Sequence, residues 1–154
     1  METLSFCNTK IGRIGLIADD EYLTALLFET YTVPSGLEEK KTKIHSLAIK
    51  ELNEYFDGKR KVFTVPLLPQ GTDFQLKVWD ALRKIPYGQT ASYKEIAVNI
   101  GNPNGQRAVG GANNKNKIPI FIPCHRVIGH NGDLVGFGGG LDVKDKLLQI
   151  EGIR

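Results

Sequence analysis

The stretch Val65-Pro66-Leu67-Leu68-Pro69-Gln70-Gly71 divides this chain into two parts with different hydrophobic periods. Proline interrupts both ladders and helices, and glycine lets the backbone turn. A lobe boundary placed there gives residues 1–70 and residues 71–154.

Before the boundary the chain reads as strands. Leu4-Ser5-Phe6 alternates, Ile14-Gly15-Leu16-Ile17 follows, and Leu23 to Phe28 is mostly apolar. Asp19-Asp20-Glu21 has the composition of a hairpin turn, so an antiparallel sheet is expected. Lys40 to Asp57 is predicted to be a helix with Ala48, Leu52, Tyr55 and Phe56 on one stripe, ended by Gly58. Lys59-Arg60-Lys61 reads as a solvated turn.

After the boundary the signals are helical. Thr72-Asp73-Phe74-Gln75 and Ser92-Tyr93-Lys94-Glu95 both have the form of capping boxes. The first opens a helix with Phe74, Val78, Trp79 and Leu82 inward, stopped by Pro86-Tyr87-Gly88. The second opens a helix reaching about Ile100, with Ile96 and Ala97 inward, broken by Gly101. Asn102-Pro103 reads as an N-cap followed by proline at the first helical position. The helix it would start carries Arg107-Ala108-Val109-Gly110-Gly111-Ala112. A last helix is expected from Asp142, as its N-cap, to Ile150, closed by Glu151-Gly152. The fold class is therefore α+β: a small sheet with a helix, then a mainly helical lobe.

Two short helices joined by a tight turn form a helix-turn-helix candidate. Gly110 and Gly111 cost the second helix roughly 1 kcal/mol each relative to alanine. Two explanations stay open: packing against a neighbouring element, or a flat surface pressed into a nucleic-acid groove with Arg107 projecting from it. Charge bears on the choice. Between residues 83 and 126, seven basic residues stand against one acidic residue, Glu95. Such an excess suits either a solvated face or a polyanion partner.

No apolar run approaches the ~20 residues that span a membrane. The N-terminus lacks the pattern of a signal peptide. The two cysteines, Cys7 and Cys124, lie far apart. A reducing, cytoplasmic setting is expected, with Cys124 a thiol.

Cys124 is followed directly by His125, at the end of the apolar run Ile118-Pro119-Ile120-Phe121-Ile122. A thiol becomes a strong nucleophile only as thiolate, and histidine oriented by a carboxylate is the usual base. On a strand, neighbours point to opposite faces, so contact would need a sharp turn or a bridging water. Glu151 is the notable carboxylate, since its helix could pack behind the run. The glycine-rich loop 136–140 lacks the phosphate-binding motifs and is expected to bring its backbone close to a ligand.

Pro123-Cys124-His125-Arg126-Val127 resembles the signature of the O6-alkylguanine-DNA alkyltransferases, also called methylated-DNA–protein-cysteine methyltransferases. The resemblance extends over Val78-Trp79, Ile85 to Gly88, Tyr93, Ile96-Ala97, Gly101-Asn102-Pro103, Arg107 to Gly110, Asn116, Ile122 to Val127, Gly139-Gly140 and Lys144 to Glu151. It implies a ribonuclease H-like first lobe and irreversible transfer of an alkyl group from O6 of guanine to Cys124, once per molecule. It gives His125 the role of water-mediated base and Glu151 that of its orienting carboxylate. Tyr93 would help turn out the nucleotide and assist the departing guanine. Asn116 would link the helix-turn-helix to the active site. Arg107 would fill the gap in the base stack, with Ala108, Gly110, Gly111 and Ala112 along the groove. Val127, Phe137 and Gly138 would line the base pocket.

The partner so implied is double-stranded DNA containing O6-alkylguanine, with O4-alkylthymine as a second candidate, bound by a monomer. No cofactor is expected. The sequence departs from the family at Gly138, where some members carry serine, and at Phe137, often tyrosine. Cys7 and His45 alone do not make the zinc site of some members, so no metal is expected. Two alternatives stand beside this reading: a damage-recognition protein without chemistry, in which the cysteine would be replaced, and a Cys-His-Glu hydrolase.

Overall fold

A computed structural model describes all residues, Met1–Arg154. The chain forms two compact units, Met1–Pro69 and Gln70–Arg154.

In the first unit, β1 (Thr3–Thr9), β2 (Gly12–Ala18) and β3 (Leu23–Leu27) form an antiparallel meander. A short fourth strand, β4 (Glu38–Glu39), pairs parallel with β1, giving the order β3-β2-β1-β4. The sheet is therefore mixed, not purely antiparallel. The helix expected from Lys40 begins later, as α1 (Lys43–Phe56), because Lys40 still bonds to β1, its N–H donating to Leu4 O at 2.9 Å and its carbonyl accepting from the Thr3 hydroxyl at 3.1 Å.

His45 sets that start. Its Nδ1 accepts from the Thr42 N–H at 3.1 Å, and its Nε2 lies 3.0 and 3.1 Å from the carbonyl oxygens of Thr3 and Leu16. Two carbonyl partners require the proton on Nε2, which leaves Nδ1 free to accept. One buried imidazole thus caps the helix and fastens it to β1 and β2. The turn at 59–61 is not merely solvated: Arg60 pairs with Glu54 at 2.9 Å and with buried Glu51 at 3.2 Å.

In the second unit, α2 (Asp73–Arg83) and α3 (Tyr93–Asn99) begin at the two expected capping boxes. A short parallel pair, β5 (Ala91–Ser92) with β6 (Val127–Ile128), lies beside them. α4 (Gln106–Asn114) starts later than expected, with Gly105 at its N-cap. Asn102 and Pro103 instead form the turn before it, in which Gly105 N–H donates to Asn102 O at 2.9 Å. The Asn102 side chain fills the space where a Gly105 Cβ would stand, 2.5 Å from Asn102 Nδ2. α2 is tied to α4 by Trp79 Nε1, which donates to Ala112 O at 2.9 Å.

The last helix, α5 (Leu141–Ile150), is capped by Gly140, not by Asp142. Gly140 has φ of +96°, a conformation costly to side-chain-bearing residues. Asp142 sits in the first turn, where its charge suits the helix dipole. No helix is long and apolar enough to cross a membrane.

Candidate active site

The run Ile118–Ile122 is not a strand. Ile120 has φ of +73°, rare for a β-branched residue and costing of order 1–3 kcal/mol. Asn116 holds this bend at both ends: its Oδ1 accepts from Ile118 N–H at 3.0 Å and its Nδ2 donates to Ile122 O at 2.9 Å. The chain then enters a single 3₁₀ turn, Cys124–Arg126. Successive side chains on such a turn diverge by about 120°, not the 180° of a strand. The thiol and the imidazole are therefore turned less far apart than strand neighbours would be.

His125 and Glu151 are both fully buried, with Nε2 2.6 Å from Oε2. A carboxylate accepts only, so His125 carries its proton on Nε2 and Nδ1 is its basic nitrogen. Burial pushes the imidazole below its usual range, partly opposed by Glu151, so it is neutral at pH 7. A neutral imidazole can take a proton.

Glu151 caps the C-terminal end of α5, where the helix dipole disfavours a negative charge. Three further donors offset this. Arg126 Nε donates at 2.8 Å, Arg126 Nη2 at 3.2 Å and Gly88 N–H at 3.1 Å. Arg126 Nη1 also donates to Ile85 O at 2.7 Å. Arg126 therefore belongs to a buried ion pair and is withdrawn from the basic surface in which its charge was counted.

Cys124 is buried, and burial pushes its thiol up to about 11, against the opposing influence of the Asn116 side chain and the Lys144 charge. It rests as a thiol and needs a base. Asn113 on α4 donates through Nδ2 to Cys124 O at 3.5 Å. Tyr93 donates through its hydroxyl to Val135 O at 3.1 Å. Burial and the nearby thiol site raise its phenol, so it stays protonated. Buried Lys144 Nζ donates to Val127 O at 2.6 Å and Val135 O at 2.9 Å. Sequence reasoning missed Arg126, Lys144 and Asn113. Only its place one turn before Leu147 and Leu148, on their stripe of α5, could have signalled that Lys144 points inward.

Outside this cluster, α4 presents Arg107, Ala108 and Gly111 to solvent, with Gly110 half-buried. A Cβ on Gly111 would meet nothing within 4 Å, and one on Gly110 would touch only Tyr93 at 3.8 Å. Internal packing does not require either glycine. Ala112, expected on this surface, is buried, with its carbonyl turned to Trp79. Val127 is buried, Phe137 half-buried and Gly138 exposed. No three His, Cys, Asp or Glu side chains converge so as to hold a metal ion. An open groove of about 440 Å³ lined by Lys77, Asp80, Lys84 and Asn99 lies on α2 and α3, apart from Cys124.

Comparison with known proteins covers both units. The model of the 6-O-methylguanine DNA methyltransferase ribonuclease-like domain matches residues 3–69, and that of the DNA binding domain matches residues 73–153. A methylated-DNA–protein-cysteine methyltransferase of Methanosarcina acetivorans is 49% identical over 148 residues, 94% of each chain. The constitutive one of Bacillus subtilis is 41% identical, covering 99% of this chain and 97% of its own. The crystal structure of Mycobacterium tuberculosis OGT in complex with DNA gives a TM-score of 0.92 at 44% identity, covering 97% of this chain and 92% of that one.

Proposed function

The chain belongs to the 6-O-methylguanine DNA methyltransferase family, and we propose that Cys124 is the acceptor of the alkyl group. It is a DNA-repair enzyme that reverses alkylation by direct transfer to its own cysteine. The observation that carries the residue assignment is the buried His125–Glu151 contact beside Cys124 on one 3₁₀ turn.

The substrate is double-stranded DNA carrying O6-alkylguanine. O6 lies inside the stacked duplex, so the nucleotide must be turned out, at a cost of a few kcal/mol. The exposed small residues of α4 permit close approach to the minor groove, and Arg107 takes the place of the departed base. The basic residues around the site hold phosphates without reading sequence.

Once the base is seated beside Cys124, its thiol proton passes to His125 Nδ1 through one water. The thiolate attacks the alkyl carbon. The S–C bond forms as the C–O6 bond breaks, and the bonding pair stays on O6. Tyr93 donates a proton to the departing guanine and regains the one His125 took. Atoms and charge balance without a co-reactant. The thioether cannot be displaced under these conditions, so each molecule acts once.

Replacing Cys124 by alanine tests the assignment. The variant is expected to bind an O6-methylguanine duplex as the parent does and to accept no methyl group. Residual transfer would move the acceptor elsewhere, with Cys7 the other thiol. Repeated turnover on an ester or amide would instead favour a hydrolase.

A further inference from the structure

The mechanism leaves Lys144 without a task, yet its side chain is fully buried. Lysine is almost never buried to that degree without a partner of opposite charge. Here both acceptors are backbone carbonyls, Val127 O at 2.6 Å and Val135 O at 2.9 Å. Those residues bracket the segment 128–134, so the ammonium ties β6 and the far end of the loop that follows it to α5. Tyr93 of α3 donates to the same Val135 oxygen at 3.1 Å. Two side chains from separate helices, both coupled electrostatically to Cys124, thus fix one carbonyl.

Resting on the reading of Cys124 as acceptor, we propose that Lys144 is a positioning residue for the transfer. It holds the Val127 and Val135 carbonyls where the flipped base is read, and its charge supports the Cys124 thiolate as the proton leaves. The titratable groups coupled to this arrangement are Cys124 and His125 from the 3₁₀ turn and Tyr93 from α3. Arg126 and Glu151 are committed to each other. On its own helix, Asp145 is engaged by Arg154 at 2.7 Å, and in the loop Asp133 accepts from Asn131 at 2.8 Å.

The arrangement has a distinctive pH signature. Burial lowers the Lys144 ammonium to about 8. Below that pH the ammonium is present and the rate is level, because the thiol proton only moves within the site to His125. Above it, the supporting charge is lost and the rate falls. His125 is neutral across this range and Tyr93 still protonated, so neither produces the break.

The experiment is single-turnover methyl transfer from a saturating O6-methylguanine duplex between pH 6 and 10. The wild-type rate is expected to be level and then fall from the pH at which Lys144 Nζ titrates, followed separately by 15N NMR. Lys144→Met should be slowed about tenfold at pH 7.5 and show no such fall. Lys144→Arg, which never loses its charge, should recover rate at pH 7.5 and stay level past the wild-type break. A Lys144→Met profile superimposable on wild type would overturn the proposal. If that variant does not fold, a wild-type break displaced from the Lys144 titration would do the same. Absence of transfer in the wild type would instead refute the assigned reaction and leave the NMR titration intact.

Discussion

His125 Nε2 and Glu151 Oε2 lie 2.6 Å apart with both side chains sealed from solvent, and Arg126 closes on the same carboxylate at 2.8 Å. One carboxylate fixes the histidine tautomer and neutralises a buried guanidinium. Glu151→Gln keeps an acceptor but strands Arg126, an uncompensated buried charge. The expected loss is about 3 kcal/mol of folding stability, read by urea denaturation, together with slowed transfer. Unchanged stability would mean the pair is solvated in solution.

Gly111 separates folding from function. Its absent Cβ has open space around it, and the position is helical. Gly111→Ala should therefore gain up to about 1 kcal/mol of stability. Gly111→Leu should fold equally well but bind duplex DNA at least about tenfold more weakly, by standing between α4 and the groove. Equal binding by the two would place the DNA elsewhere.

Arg107 is exposed on α4 and makes none of the contacts that hold the Cys124 site. Arg107→Ala should slow repair of duplex DNA much more than reaction with free O6-alkylguanine base. Equal slowing of both would remove it from base extrusion.

The thiol also predicts a dependence of stability on pH. Cys124 is raised to about 11 in the folded protein, whereas an unfolded cysteine ionises near 8.5–9. Its contribution is complete below about pH 8.5 and is lost as pH rises to about 11, because the unfolded chain releases the proton first. Lys144, lowered to about 8, acts in the opposite sense, gaining stability as pH rises from about 8 to its unfolded value. Comparing wild type with Cys124→Ser isolates the thiol. The difference in unfolding free energy should shift by about 2 kcal/mol against wild type between pH 8 and 11.

Much of the fold was legible because local signals agreed with it. Strands β1 to β3 follow from alternation and from the Asp19 turn, whose Oδ1 accepts from Glu21 and Tyr22 N–H. The two capping boxes mark α2 and α3. Errors arose where tertiary contacts overrode local preference. Ile118–Ile122 has strand composition, yet Asn116 bends it through a positive φ that a propensity argument assigns against isoleucine. Asn102-Pro103 looks like a helix start, but Asn102 spends itself on the turn. At the site, cysteine, histidine and glutamate were recognisable as a set. Arg126 and Lys144 were not, because charged residues are ordinarily solvated and only the packed structure shows which ones are withdrawn from water.

The reaction assigned to Cys124 is a single, irreversible transfer. Excess O6-methylguanine duplex is incubated with the protein, and methyl groups are counted by mass spectrometry of intact protein and peptides. The expected result is one methyl in place of one hydrogen per molecule, carried on the peptide containing Cys124, with no further transfer however much substrate remains. Continued turnover, or a methyl on a peptide lacking Cys124, would contradict it.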